Sequence, residues 1–103
     1  MTEFRARRPL KRAPTHPGVL MRETIAEHLG LSKAEVARRM RISRPSLYAV
    51  LNGTSAVTAD MALRFAAIGG GEPELLLSMQ AAHDLWRAQH RLESVLTAIE
   101  RAA

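Results

Sequence analysis

The chain has 103 residues, no cysteine and a formal net charge of +5. This length fits one domain, and the lack of cysteine excludes a disulfide framework and thiolate chemistry. No apolar stretch approaches the ~20 residues of a membrane-spanning helix, and no hydrophobic segment near the N-terminus predicts a secretory signal. We therefore expect a cytoplasmic protein that does not bind membranes.

Positive charge is concentrated in the first half of the chain. Residues 1–15 carry five cations and one anion, residues 16–57 carry six and three, and residues 58–103 carry four and six. One basic end and one acidic end are expected when the first meets a polyanion and the second meets protein.

Residues 1–15 form a basic segment that contains Pro9 and Pro14 and shows no helical or strand periodicity. We interpret this segment as a flexible arm. Two interpretations stay open: it is a terminus without a role, or it follows DNA phosphates or pairs with an acidic partner.

Helical periodicity begins at Pro17, and we expect the first helix to run to about Leu29, with Gly30 as its C-cap. A second helix follows, because Ser32 is a good N-cap and Glu35 stands three residues later, which is the pattern of a capping box. Its apolar face consists of Val36, Ala37 and Met40.

A short turn at Arg41 and Ile42 leads into a third helix, which Ser43 caps and Asn52 and Gly53 end. Its buried face consists of Leu47, Val50 and Leu51. The first turn position is usually glycine, because it often needs a positive φ. With arginine there, we expect a strained or slightly reshaped turn.

Two capped helices at this spacing are typical of a DNA-reading helix-turn-helix. We predict that Arg44 reads a base, because an arginine in the first turn can contact guanine at two atoms, which is worth about 1–3 kcal/mol of discrimination. Lys33, Ser43 and Asn52 would instead contact the phosphate backbone. The full set of predicted DNA contacts is Lys33, Ser43, Arg44, Ser46, Tyr48 and Asn52. The alternative is a helical hairpin with solvated charges.

Thr58 caps a predicted fourth helix, which the glycines at 69–71 end. These glycines do not indicate a phosphate-binding loop, since the flanking strand and the lysine of that motif are missing. Pro73 begins a last helical region that we expect to reach about Arg101.

An apolar stripe continues along this last region beyond what a four-helix core would need. We predict that it joins two copies of the chain, with residues 16–87 as the DNA-binding domain and residues 88–103 as a helical extension. In the alternative, the stripe folds back on its own bundle and the dimer forms through the helix that begins at Pro73 or the loop before it. The predicted dimer contacts are Leu85, Leu92, Val95, Leu96 and Ile99.

The histidines show no spacing typical of a metal site, and we interpret them as surface or capping residues. Their positions are His16, His28, His83 and His90. A nucleophile elbow and a pair of carboxylates in an apolar setting are also missing from the sequence. We therefore expect no metal, no cofactor and no enzyme activity.

Several motifs in order resemble those of HigA-type antitoxins, which belong to the Xre/Cro-like helix-turn-helix family. The resemblance covers about residues 16–87. The matching segments are residues 16–20 (HPGVL), 30–32 (GLS), 43–45 (SRP), 51–53 (LNG), 58–64 (TADMALR) and 80–86 (QAAHDLW). Two departures are Arg41 and residues 70–72, which replace the usual Ser/Thr cap before Pro73.

This resemblance implies an all-α, five-helix repressor-like bundle, here with an extended C-terminal helix. It also implies a homodimer that binds operator DNA, represses its own operon, and neutralises a RelE-like (HigB-type) ribonuclease toxin that cleaves ribosome-engaged mRNA. Two alternatives stay open: a stand-alone Xre-family transcriptional regulator without a toxin, and a protein-interaction adaptor that no longer binds DNA.

Overall fold

The computed structural model describes residues 12–102, and in this part of the chain it contains six α-helices and no strand. The all-α prediction is confirmed. None of these helices is long and apolar enough to cross a membrane. The helices are α1 (Pro17–Thr24, continued by a π-helical turn Ile25–Leu29), α2 (Lys33–Met40), α3 (Arg44–Leu51), α4 (Ala59–Ala67), α5 (Pro73–Arg91) and α6 (Glu93–Ala98).

A single hydrophobic core joins α1 to α5. Each of these helices contributes at least one buried apolar side chain, and burial of a side chain of this size contributes about 1.5–3 kcal/mol. Ala37 is buried as well, as predicted for a small residue where two helices approach. The largest fully buried side chains include Met21, Val36, Leu47, Leu51 and Phe65.

Side-chain caps start α2, α3 and α4 as predicted. Ser32 Oγ accepts a hydrogen bond from the Glu35 N–H at 3.1 Å, and Ser43 and Thr58 bond in the same way three residues onward. The reciprocal half of the predicted capping box is wrong. The Glu35 carboxylate binds arginines of its own helix instead of the Ser32 N–H.

The first helix ends where the sequence predicts, although its last turn has a π-helical form that the sequence did not indicate. Gly30 follows with a φ of 62°, and its N–H donates to the Ile25 carbonyl oxygen at 3.1 Å. Glycine adopts this left-handed conformation without the penalty of a β-carbon, so it closes the helix.

The last helical region begins at Pro73 as expected, and it consists of two helices rather than one continuous helix. Leu92 leaves the helical conformation (φ −100°, ψ 7°), α6 then ends at Ala98, and Ile99 is extended. No residue of α6 is buried, so packing against the core does not hold the two segments in one helix. Glu72, which precedes Pro73 where the resembling family has a Ser/Thr cap, makes no side-chain cap for α5.

The proposed arm falls only partly within the described part of the chain. Residues 1–11 lie outside the described residues, and residues 12–15 have no helix or strand. The carbonyl oxygen of Pro14 accepts a hydrogen bond from His83 Nδ1 at 2.7 Å. This contact ties the end of the basic segment to α5.

Candidate nucleic-acid interface

The turn between α2 and α3 is built on Arg41, which has a φ of 59°. Its N–H donates to the Arg38 carbonyl oxygen at 3.1 Å, and the N–H of Ile42 donates to the Ala37 carbonyl oxygen at the same distance. The prediction of a strained turn is confirmed. A left-handed conformation costs a residue other than glycine roughly 1–2 kcal/mol.

Arg64 on α4 stabilises this turn from outside the helix pair. Its Nη1 donates to the carbonyl oxygens of Met40 at 2.9 Å and Arg41 at 3.2 Å, and Asp60 binds its Nε. This role was not predicted from the sequence. The four-residue spacing of Asp60 and Arg64 could have indicated their pairing on one helix, but not the contact with α2.

On α3, the predicted reading residues lie on the side away from the core. Arg44, Tyr48 and Asn52 follow one another at four-residue steps and therefore share one helix face. Ser43 and Ser46 are also exposed, and their hydroxyl groups are hydrogen-bonded to each other at 2.7 Å. Lys33 stands apart from them, at the exposed start of α2.

The cations of α2 and α3 differ in how far they are already paired. Glu35 holds Arg38 at 2.6 Å and Arg39 at 2.8 Å, and these hydrogen bonds, Arg38 first, lower the pKa of the Glu35 carboxyl to about 2. Within residues 12–102, Lys33 and Arg44 have no ion pair. Their charges are therefore available to another molecule.

A cleft of about 320 Å³ lies between the starts of the two helices, and Ser32, Arg38, Ile42 and Arg44 are among the residues that line it. The first N–H groups of a helix point outward and favour an anion. Two helix starts beside unpaired cations can therefore hold the phosphates of a nucleic-acid backbone, while Arg44 can reach a base edge.

The start of α1 rests on the end of α3. The buried ring of His16 accepts a hydrogen bond from the Gly18 N–H at 2.9 Å through its Nδ1, which makes this histidine the N-cap of α1. The ring also packs against the loop after α3, since a β-carbon on Gly53 would lie 3.7 Å from it. His16 therefore links the first helix to the segment that leaves the reading helix.

The surroundings of His16 favour the neutral form of its ring. Burial lowers the pKa of the ring below its ordinary value of 6.5, and the nearby His83 lowers it further. The two rings lie edge to face with centroids 5.1 Å apart, a pairing that the sequence analysis did not foresee. His28 and His90 are exposed, as predicted. Among residues 12–102, no cluster of three or more metal-ligating side chains occurs.

Gln80 fixes the other end of the loop after α3, which the sequence analysis also missed. Its Oε1 accepts a hydrogen bond from the Val57 N–H at 2.8 Å, and its Nε2 donates to Asp84 at 2.9 Å. Only a buried glutamine on an otherwise amphipathic helix could have signalled this contact. Three side chains from three different elements therefore position the α2–α3 pair and the loop after it: His16, Arg64 and Gln80.

The predicted dimer stripe is largely uncovered in the single chain. Leu85, Val95, Leu96 and Ile99 keep between 48% and 60% of their surface exposed, and Leu92 is half-buried. The break at Leu92 divides the stripe between α5 and α6. Exposed apolar side chains in this number commonly mark a contact with another molecule.

A helix-turn-helix family model matches residues 23–76, more than half of the chain. The chain belongs to the helix-turn-helix family. It is 31% identical to the antitoxin HigA-1 of Vibrio cholerae over 84% of this chain and 81% of that protein. It is 33% identical to YbaQ of Escherichia coli, an uncharacterised helix-turn-helix transcriptional regulator, over 81% of this chain and 74% of that one.

The solved structures of this helix-turn-helix family include a similar antitoxin. The structure of the antitoxin GraA in complex with its operator superposes with a TM-score of 0.79 at 29% identity. The match covers 96% of this chain and 99% of the GraA chain. The resemblance to HigA-type antitoxins is thus confirmed at the level of the family.

Proposed function

We propose that this chain is a HigA-type antitoxin that binds operator DNA as a homodimer, represses its own operon and neutralises a RelE-like ribonuclease toxin. The observation that carries the DNA-binding part is the exposed face of α3, where Arg44 has no ion-pair partner within the described residues. The similarity to GraA, which was solved in complex with its operator, supports the same assignment.

The reading residues divide into two roles. Arg44 contacts a base edge in the major groove, because it stands in the first turn of the reading helix. Lys33, Ser43 and Asn52 contact phosphates from the ends of α2 and α3, and Ser46 and Tyr48 lie beside them. A single helix reads too few base pairs for an operator, so two reading helices about 34–36 Å apart are needed.

The C-terminal stripe supplies the contact between the two copies. Its exposed leucine, valine and isoleucine side chains can bury one another across a two-fold axis. An unbroken helix is not required for this, since α5 and α6 both carry exposed members of the stripe.

The test of the DNA-binding part is fluorescence anisotropy with the promoter of the chain's own operon and a scrambled duplex. Arg44→Ala is expected to weaken binding to the promoter by about 1–3 kcal/mol and to leave binding to the scrambled duplex nearly unchanged. Arg22→Ala is the matched control, because Arg22 is an exposed cation on α1. Equal losses on both duplexes would contradict base reading by Arg44.

Lys33→Ala tests the phosphate role separately. This substitution is expected to lower the affinity for both duplexes equally. It should also reduce the slope of log affinity against log salt concentration by about one. A slope equal to that of the wild type would rule out a phosphate contact by Lys33.

A stand-alone regulator is the second candidate, because the similarity to YbaQ is as strong as that to HigA-1. Both functions use the same reading helix, so DNA binding does not separate them. Co-purification of a RelE-like protein encoded beside this gene would support the antitoxin. A chain that binds its promoter but retains no such protein would support the regulator.

A further inference from the structure

A second opening lies apart from the reading helices, between the end of the first helix and the start of α5. This groove has a volume of about 410 Å³ and shares no lining residue with the cleft at α2 and α3. Its apolar side chains are Leu20, Leu75 and Leu76, and Leu75 keeps 47% of its surface exposed. Residues 69–71 form one wall.

The glycines keep this groove open. A β-carbon on Gly70 would lie 2.5 Å from the ring of Phe65, so this residue draws the loop close against the core. Gly69 and Gly71 have φ values of 91° and 135°, which side-chain-bearing residues rarely adopt. The wall therefore presents bare backbone, and no side chain of the loop fills the space beside Leu75.

One carboxylate and one histidine, Glu72 and His28, line this groove, and further carboxylates lie next to its lining residues in the sequence. Glu72 lines the groove and Glu74 is exposed in the first turn of α5. Glu23 is exposed beside Thr24, which also lines the groove. None of these three carboxylates has an ion pair within residues 12–102. By helix geometry, Arg22 points away from the groove, since it stands two residues, or about 200°, from Leu20.

We propose that this groove is the docking site for the toxin, a proposal that rests on the function proposed above. A ribonuclease needs a cationic surface for its RNA substrate. Such a surface is complementary to the carboxylates in and beside the groove and is repelled by the basic face of α2 and α3. An apolar side chain of the toxin enters between Leu20 and Leu75, while its lysine and arginine side chains pair with these glutamates.

Two consequences follow for the toxin and for DNA. A cationic surface seated in this groove is no longer available to RNA, which gives neutralisation a physical basis. The reading helices remain free, because the groove and the DNA-facing cleft have no lining residue in common.

The test is the affinity for the toxin whose gene adjoins that of this chain, measured by isothermal titration with the full chain. We expect Glu72→Lys/Leu75→Lys to weaken binding by at least about tenfold, because it reverses one charge in the groove and places another on the floor. The matched control is Leu63→Lys/Glu100→Lys, which makes the same changes at exposed residues outside the groove.

A conservative variant keeps the test independent of folding. Glu72→Gln/Glu74→Gln is expected to reduce the salt dependence of toxin binding while operator binding and oligomeric state stay unchanged. Toxin binding by the lysine variant at the wild-type affinity would overturn the groove assignment and leave the antitoxin function intact. Loss of dimerisation in that variant would also overturn it, by identifying the groove as a contact between copies. A wild-type chain that does not bind the toxin would instead refute the proposed function.

Discussion

Gly18, at the start of α1, lies so close to the carbonyl oxygen of Val50, near the end of α3, that a β-carbon there would stand 2.2 Å from it. No side chain other than hydrogen fits between these two helices. The contact sets the distance between the first helix and the reading helix, and it explains the glycine that follows His16 and Pro17 in the sequence.

Gly18→Ala is therefore expected to destabilise the chain, although the same change inside an ordinary helix stabilises it by about 1 kcal/mol. Displacing the backbone to make room for the added carbon costs roughly 1–3 kcal/mol of stability. Urea unfolding followed by circular dichroism measures this cost, and promoter binding should weaken in parallel because α3 is displaced. A more stable variant would show that the two helices can separate without penalty.

Protonation of His16 should destabilise the folded chain, because Nδ1 would then carry a proton where the Gly18 N–H now donates. The pKa of His16 is lowered in the folded state, so the unfolded chain binds this proton at a higher pH. The contribution of neutral His16 to the free energy of unfolding is therefore fully present above the ordinary pKa. It is lost as the pH falls below about 6.5. The groups that face the ring from α5 are His83, Asp84 and Arg87.

The measurement is the urea midpoint between pH 8 and pH 5, for the wild type and for His16→Asn, since asparagine can cap α1 without titrating. The variant should show a flatter pH dependence. His28→Asn, at an exposed histidine, is the control and should keep the wild-type profile. Identical profiles for all three proteins would assign the pH dependence to other groups.

Arg64→Ala is expected to cost more stability than Asp60→Ala. The first change removes the donor to the Met40 and Arg41 carbonyl oxygens, at about 1 kcal/mol. The second removes a surface ion pair, which typically contributes about 0–1 kcal/mol. Urea unfolding of both variants provides the comparison. Equal losses would mean that Arg64 acts through Asp60 rather than through α2.

Arg41→Gly should stabilise the fold by about 0.5–1 kcal/mol, because glycine adopts the left-handed conformation that arginine holds at a cost. Arg38→Gly, inside α2, is the matched control and should cost about 1 kcal/mol. Thermal unfolding measures both. A loss of stability in the first variant would show that the arginine side chain stabilises the turn more than its backbone strains it.

The dimer prediction is tested by Leu92→Glu/Leu96→Glu, with Leu63→Glu as a control outside the stripe. Charged side chains cannot be buried in an apolar interface without a partner, so the double variant should be monomeric in light scattering. Its operator affinity should fall with it. A double variant that remains dimeric, folded and bound to the operator would exclude the C-terminal stripe as the contact.

Local features of this fold could be predicted from the sequence. The three N-caps accept hydrogen bonds from N–H groups only three residues away; they are Ser32, Ser43 and Thr58. The positive φ of Arg41 follows from its place in a short turn. Such features need only the neighbouring residues. The family motifs added the order of the first five helices.

Contacts between distant residues could not be predicted in this way. Arg64 reaches the end of α2, and Gln80 reaches the loop after α3, across 23 or 24 positions of the chain. Their partners are backbone groups, which carry no residue-specific signal. The break at Leu92 could not be predicted either, because neither proline nor glycine marks it. The groove beside residues 69–71 is defined by missing side chains, so no chemical group in the sequence indicates it.

The break at Leu92 leaves α6 as a helix of six residues without a buried side chain. An isolated helix shorter than ~12–15 residues is only marginally stable in water, so α6 takes its order from whatever covers it. Association through this segment is then coupled to its folding, and the entropy of ordering is subtracted from the free energy of the interface. The dissociation constant of the proposed dimer is correspondingly higher than the same apolar area would give on a preformed surface.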